Sequence, residues 1–317
     1  GALTFLLGVS AGRWGEIHAV EAADLAPAAR FLNAALCVAT VAFVCVAGRR
    51  LFGGRVGLLA GILLALSPLA WITAYAPTGE ALAAFVALLA FAGIAGALGD
   101  RAIDPRGGHR REQAARNPRW PRLLAVAFAV GFAAGVRPAL LLLTPPLIAV
   151  ALTRGKRERV SGGASLLAGV IGYLATGTAV LTALPTFLNA TGRAVQGYEL
   201  RVAPATLALL IRHLPAAITI LGRADPLMTL LDGLWALVWT VGVVSGTATA
   251  EQRAYPRRGL LLLTFLGLSL LLMLLHRTLD VGHFAVYSPF LALLGGVALD
   301  EMLRVVTESG RVRRRRG

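Results

Sequence analysis

Cysteine is almost absent from this 317-residue chain: Cys37 and Cys45 are the only two. Both fall on one apolar run, and on a helix their spacing separates them by about 12 Å, beyond disulfide reach. They read as small apolar packing residues. The chain has no Cys/His set at metal-ligand spacing, no Walker-type glycine loop and no serine elbow, which removes the sequence marks of a zinc module, a P-loop nucleotide enzyme and an α/β-hydrolase. Charge is also scarce, at 15% of residues. The segment 1–11 is apolar but only half a span long and lacks a basic leader, so it does not read as a signal peptide. With no initiating methionine either, the expectation is a chain that lacks its natural start, with at least one helix and one outer loop upstream. Asn189-Ala190-Thr191 fits a glycosylation sequon, a pattern short enough to arise by chance.

What the chain has in abundance is hydrocarbon. Hydrophobic residues make up 57% and the mean hydropathy is +0.72, too apolar for a water-soluble fold. Apolar runs at 27–47, 56–76, 81–98, 166–184, 227–244, 260–275 and 284–303 each approach the roughly 20 residues that a helix needs to cross a bilayer. A backbone in lipid must satisfy its own hydrogen bonds, so these runs are helices. A membrane barrel would instead show short segments of alternating polarity. The fold class expected is all-α, a polytopic integral membrane helical bundle with about 9 to 11 membrane segments, some short or broken. It is read as one transmembrane domain over 1–317, with a basic cytoplasmic loop at 99–122, an outer connection at 185–226 and a basic cytoplasmic tail at 304–317.

The charges are sorted by side. Arg49, Arg50 and Arg55 share one connection. Arg101, Arg106, Arg110, Arg111, Arg116, Arg119 and Arg122 share another. Arg154, Lys156, Arg157 and Arg159 follow, then Arg253, Arg257 and Arg258, then Arg304, Arg311 and Arg313 to Arg316. With all of these cytoplasmic, 23 of the 31 basic residues lie inside against 8 of the 16 acids, which accounts for the whole net charge of +15. Short arginine-rich loops between spans orient the protein and touch anionic lipid headgroups. This reading excludes nucleic-acid binding as the meaning of the pI of 11.4.

The segment 123–152 has arginines at both ends, so it must enter the membrane and return as two short helices, with the reversal at Arg137-Pro138. A charge at that depth needs a partner or a task. The outer face then carries Glu16, His18, Glu21 and Asp24, then Tyr75 and Glu80, then Arg137. It continues with Asn189, Arg193, Tyr198, Glu199, Arg201, Arg212, His213, Arg223 and Asp225, and ends with His276, Arg277, Asp280 and His283. Carboxylates with arginines and histidines at an outer membrane surface suit transfer from a lipid-linked phosphate donor. A carboxylate deprotonates the acceptor hydroxyl, while arginine and histidine neutralise the departing phosphate. Residues 206–222 are apolar around Arg212 and His213, and read either as an interfacial amphipathic helix or as two extra short spans. Trp14, Trp71, Trp235 and Trp239 read as span-end anchors or packing residues.

The stretch 28–98, with Arg49-Arg50-Leu51-Phe52-Gly53 between two spans, then Ser67-Pro68, then Glu80, resembles the early membrane region of the GT-C glycosyltransferases. The likeness is to the branch containing protein O-mannosyltransferases and the aminoarabinose transferase of lipid A. The segment 131–147 around Arg137-Pro138 is similar to a later stretch of that branch, and 283–299 resembles its closing span.

This resemblance implies a glycosyltransferase that moves a sugar from a polyprenyl-phosphate donor to a lipid, glycan or protein acceptor on the outer face of a bacterial plasma membrane. It implies a main catalytic acid in a first outer loop upstream of residue 1, with Glu16, Glu21 and Asp24 the tail of that loop. Glu80, Asp24 and Glu21 are the candidate catalytic carboxylates in this chain. Glu80 would orient donor, acceptor or a divalent cation (Mg or Mn), although an acid opening a helix also gains about 0.3–1 kcal/mol from the helix dipole alone. Arg137, His283, Arg277 and Arg201 are the candidate donor-phosphate ligands. The plainer alternatives are a snorkelling Arg137, a solvated His283, an Arg277–Asp280 pair, and a solvated loop around Arg201. A secondary transporter or lipid flippase is the rival, but it should show interrupted helices echoed in two halves, and only Arg137-Pro138 reads as an interruption. A catalytically inactive relative is the third possibility.

Overall fold

Ser67 precedes Pro68, and Asp225 precedes Pro226. Each pair places a side chain able to cap a helix before a residue that favours the first helical position, and helices begin at both prolines in the computed structural model. It describes residues 22–75, 79–99, 120–152, 159–176, 203–244, 256–274 and 281–316. Among them every regular element is helical: α1 (Ala22–Leu51), α2 (Gly54–Leu66), α3 (Pro68–Tyr75), α4 (Glu80–Gly99), α5 (Trp120–Val136), a 3-10 helix (Pro138–Leu143), α6 (Thr144–Leu152), α7 (Arg159–Ala175), α8 (Ala203–Ala224), α9 (Pro226–Val244), α10 (Pro256–Leu274), α11 (Val281–Ala285) and α12 (Ser288–Arg316). They fall into two compact units, 1–81 with 211–256 and 279–317, and 82–210 with 257–278.

In the first unit, α1 holds an apolar stretch of 26 residues, Ala26–Leu51, long enough to cross a bilayer by itself. Arg49 and Arg50 lie in its last turn, where cations complement the helix dipole. The Arg-Arg-Leu-Phe-Gly segment makes a tight turn. Leu51 and Phe52 are buried, the N–H groups of Phe52 and Gly53 donate to the Gly48 carbonyl at 2.8 and 3.1 Å, and Gly53 has φ 120°, which a residue with a Cβ adopts only under strain. The following helix packs back so closely that a Cβ at Gly48 would lie 2.8 Å from the Gly57 Cα.

The apolar run 56–76, expected as one span, is broken. Ser67 is extended (φ −70°, ψ 122°), as a residue before proline prefers, and α2 and α3 meet at a bend of 58°. The indole N–H of Trp71 reaches back across the bend to the Ala65 carbonyl at 3.0 Å, satisfying an acceptor near the C-terminal end of α2. The closing run is likewise split: α11 ends at Ala285, and α12 continues unbroken through the basic tail to Arg316. Arginine and glutamate are good helix formers, and Asp300 pairs with Arg304 one turn on, at 2.9 Å.

Small residues let the helices approach, as in membrane interiors. A Cβ at Gly296 of α12 would come within 2.9 Å of Ala60 of α2. Both cysteines are free. The Cys37 thiol lies 3.4 Å from the Thr73 hydroxyl and 3.6 Å from the Ala70 carbonyl, joining α1 to α3 in the packing role expected for it. The outward faces are apolar too: Phe31, Val38, Leu58 and Leu237 are each at least 60% exposed, a surface made for lipid rather than water.

In the second unit α5 and α7 pack backbone to backbone, with Gly131 against the Gly169 carbonyl and Gly172 against the Phe128 carbonyl. Phe91 of α4 meets Phe265 of α10 with ring centroids 6.1 Å apart. The helix expected to break at Arg137 does so. Arg137 is extended (φ −137°, ψ 106°), Pro138 opens the 3-10 turn, and the Leu140 N–H donates to the Arg137 carbonyl at 2.9 Å. The stretch 206–222 lies within α8, one helix with Pro215 inside it.

Candidate functional site

Glu80 opens α4 and is buried, with 7% of its surface exposed. A carboxylate in the first turn complements the positive end of the helix. What faces it is α11, and in particular Gly282: a Cβ there would come within 3.2 Å of Glu80 Oε1 and 3.5 Å of Oε2. Glycine thus allows the backbone of α11 to lie directly on the carboxylate, and His283 is the next residue of that helix. The fold thus sets Glu80 against the backbone of Gly282, more than two hundred positions away in the chain and next in sequence to the candidate His283.

Replacing Gly282 with alanine should therefore push against the Glu80 carboxylate. If the chain carries the sugar transfer that its sequence suggests, that transfer should fall on the order of tenfold with expression and thermal stability near normal, since small displacements at a reacting centre are costly. Unchanged turnover in membranes carrying Gly282→Ala would show that the spacing is not used.

The other candidates are distributed differently. Asp24 lies near the start of α1. Arg137 is half-buried at the helix break of the second unit. Glu21, Arg201 and Arg277 fall outside the described residues, as do Glu16, His18, Arg193, Tyr198, Glu199, His276 and Asp280. Among the described residues no three His, Cys, Asp or Glu side chains are gathered as a metal ion requires, so they do not by themselves form a site for Mg or Mn.

Two carboxylates matter that sequence reasoning undervalued. Asp225, read only as an outer acid, is buried and caps α9: its Oδ1 accepts the Met228 N–H at 3.1 Å. Its Oδ2 accepts the Ser67 hydroxyl at 2.5 Å, and Ser67 Oγ in turn faces the Ala70 N–H of α3 at 3.4 Å. The starts of α3 and α9 are thus joined cap to cap. The signal was present as Ser-Pro and Asp-Pro, each a capping residue before proline. Asp232, two turns into α9, was absorbed into an apolar run. It is buried, and among the described residues neither carboxylate oxygen has a hydrogen-bond partner. Its surroundings include Gly295 of α12, where a Cβ would lie 3.4 Å from Oδ1.

The helical order, the broken spans and the arginine break define the class by fold alone: an all-α helical membrane fold, shared with solved structures of one polytopic membrane protein. The chain superposes on the crystal structure of ArnT from Cupriavidus metallidurans bound to undecaprenyl phosphate with a TM-score of 0.58 and 20% sequence identity, over 94% of this chain and 49% of that one. The same protein in its apo state gives 0.51 at 19% identity, over 94% and 48%. The chain therefore spans about half the length of the ArnT structures it resembles. No family model and no curated protein sequence matches it.

Proposed function

We propose that the chain is part of a membrane glycosyltransferase that takes its sugar from a polyprenyl-phosphate donor and delivers it to an acceptor at the outer face of a bacterial plasma membrane. The observation that carries this is the fold shared with ArnT, whose structure holds undecaprenyl phosphate, over nearly the whole of this chain.

The chemistry asked of these residues is divided. In an inverting transfer, an outer carboxylate takes the proton of the acceptor hydroxyl as its oxygen attacks the anomeric carbon, and the sugar–phosphate bond breaks with the polyprenyl phosphate as leaving group. Glu80, held by α4 and pressed by α11, orients donor or acceptor. Glu21 and Asp24 remain candidate carboxylates. Arg137 and His283, with Arg277 and Arg201, favour the charge that grows on the departing phosphate. A divalent cation, if used, would supply further charge neutralisation at that phosphate.

The transporter or flippase reading gains something from the break at Ser67, a second interruption beside Arg137. The two breaks are nevertheless unlike, the first followed by an α-helix and the second by a 3-10 turn, and the likeness to ArnT favours the transferase.

The test is reconstitution of the full-length protein in liposomes with undecaprenyl phosphate as the probe. Saturable binding is expected, and Arg137→Ala should weaken it by about tenfold, the worth of one charge-assisted contact to phosphate. Equal binding by Arg137→Ala would remove Arg137 from the site. Absence of binding by the parent protein, or downhill transport of the lipid with no sugar transfer from any polyprenyl-phosphate sugar, would overturn the reading.

A further inference from the structure

We propose that Asp225 is a positioning residue for Glu80, acting through Ser67 and the bend between α2 and α3. It rests on the proposed transferase only for its consequence on turnover; the geometric link stands apart from it.

The path is continuous within the first unit. Asp225 is buried, as is Ser67, and its two oxygens have separate partners. Oδ1 accepts the Met228 N–H and Oδ2 the Ser67 hydroxyl. Ser67 stands where the 58° bend occurs and also faces the Ala70 N–H, the third residue of α3. A single carboxylate thereby caps α9 and fixes the residue that caps α3. The negative charge suits both helix starts, each of which presents unsatisfied N–H groups.

Only eight residues long, α3 takes its direction from what holds it. One side is joined to α1 through Thr73 and Cys37, another packs on α11, and its N-terminal end is tied to Asp225. In turn, α11 carries Gly282 against Glu80. Releasing Ser67 frees the direction of α3, and with it the support of α11 on the Glu80 carboxylate. The capping bond to Met228 is a matter of α9 alone, so the two oxygens separate the helix-capping role from the positioning role.

The experiment uses the full-length protein in detergent or liposomes, labelled with a water-soluble carbodiimide and glycine ethyl ester and read by mass spectrometry at Glu80, with buried Asp300 of α12 as control. Ser67→Ala removes the link and the Ser67 cap on α3 but leaves the α9 cap; Asp225→Ala removes the link and the α9 cap but leaves Ser67 to cap α3; Asp225→Asn keeps one oxygen for the Met228 N–H and an amide that can donate to Ser67 Oγ. Glu80 labelling is expected to rise roughly threefold to tenfold in Ser67→Ala and Asp225→Ala, the change that one net hydrogen bond makes in a local opening equilibrium. It should return toward the parental rate in Asp225→Asn, with Asp300 unaffected in all three. Parental labelling of Glu80 in folded Ser67→Ala overturns the proposal, and so does an equal rise at Glu80 and Asp300, which would mean general loosening. If Asp225→Ala does not fold, Asp225→Ser takes its place, since its shorter side chain can still cap α9 but does not reach Ser67, and parental labelling of Glu80 in that variant overturns the proposal. In a transfer assay, the same variants should lose turnover with the KM for the polyprenyl-phosphate donor unchanged. A parent protein without transfer, but with the labelling pattern above, would refute the transferase reading and leave the positioning role intact.

Discussion

Replacing Glu80 with glutamine is expected to lower sugar transfer by about 10²- to 10³-fold, the usual consequence of removing one preorganised charged group from a reacting centre. Glutamine keeps the size and one acceptor oxygen of the side chain, so burial and the contact with Gly282 should survive, and the protein should reach the membrane in normal amounts. The measurement is turnover of the full-length protein with a polyprenyl-phosphate sugar, alongside its thermal unfolding. A large loss with normal unfolding assigns Glu80 to the site, whereas transfer at the parental rate removes it. The plain alternative, an acid favourable only through the helix dipole, predicts a small change in stability and none in turnover. The two readings therefore differ by orders of magnitude in rate.

Asp232→Leu is expected to act in the opposite sense on stability. Both oxygens of Asp232 are buried and, among the described residues, without a hydrogen-bond partner, and such a group costs about 1–3 kcal/mol relative to one that is satisfied. Exchanging buried polar groups for apolar side chains is often neutral or stabilising. Leucine is bulkier, but glycine at position 295 leaves room on the facing helix. Thermal unfolding in detergent should shift upward, with expression undiminished. A downward shift would show that the carboxylate has a partner in the assembled protein. A stability gain accompanied by loss of transfer would instead identify Asp232 as a group kept for function at a cost in stability.

The fold was legible where it depends on local chemistry. The run 27–47 became α1, 81–98 became α4, and 227–244 and 260–275 became α9 and α10, because length and apolarity are properties of the segment itself. The Arg137-Pro138 break was legible for the same reason, since proline constrains its own neighbour. The run 56–76 was misread as unbroken although it contains Ser67-Pro68: uniform hydropathy hid a capping signal that the same proline rule would have exposed. Asp232 was missed because one carboxylate hardly alters the average of an apolar run.

The candidate site divides along the same line. Glu80 was found from its place at the start of a span, and Arg137 from being a charge inside one. Gly282 carried no signal, because its importance lies in what it allows to approach. Nor did the bond between Ser67 and Asp225, 158 positions apart, whose partners are each ordinary outside the pairing.

By itself, then, the sequence determined an arginine-sorted set of apolar helices, because membrane thickness, backbone satisfaction and loop charge act on each segment independently. Only the tertiary structure decided that α11 lies on Glu80, that Asp225 bonds Ser67 at the bend before α3 and that no described residue hydrogen-bonds the Asp232 carboxylate. Those contacts depend on where separate helices cross, and helix crossing is set by packing among residues far apart in the chain.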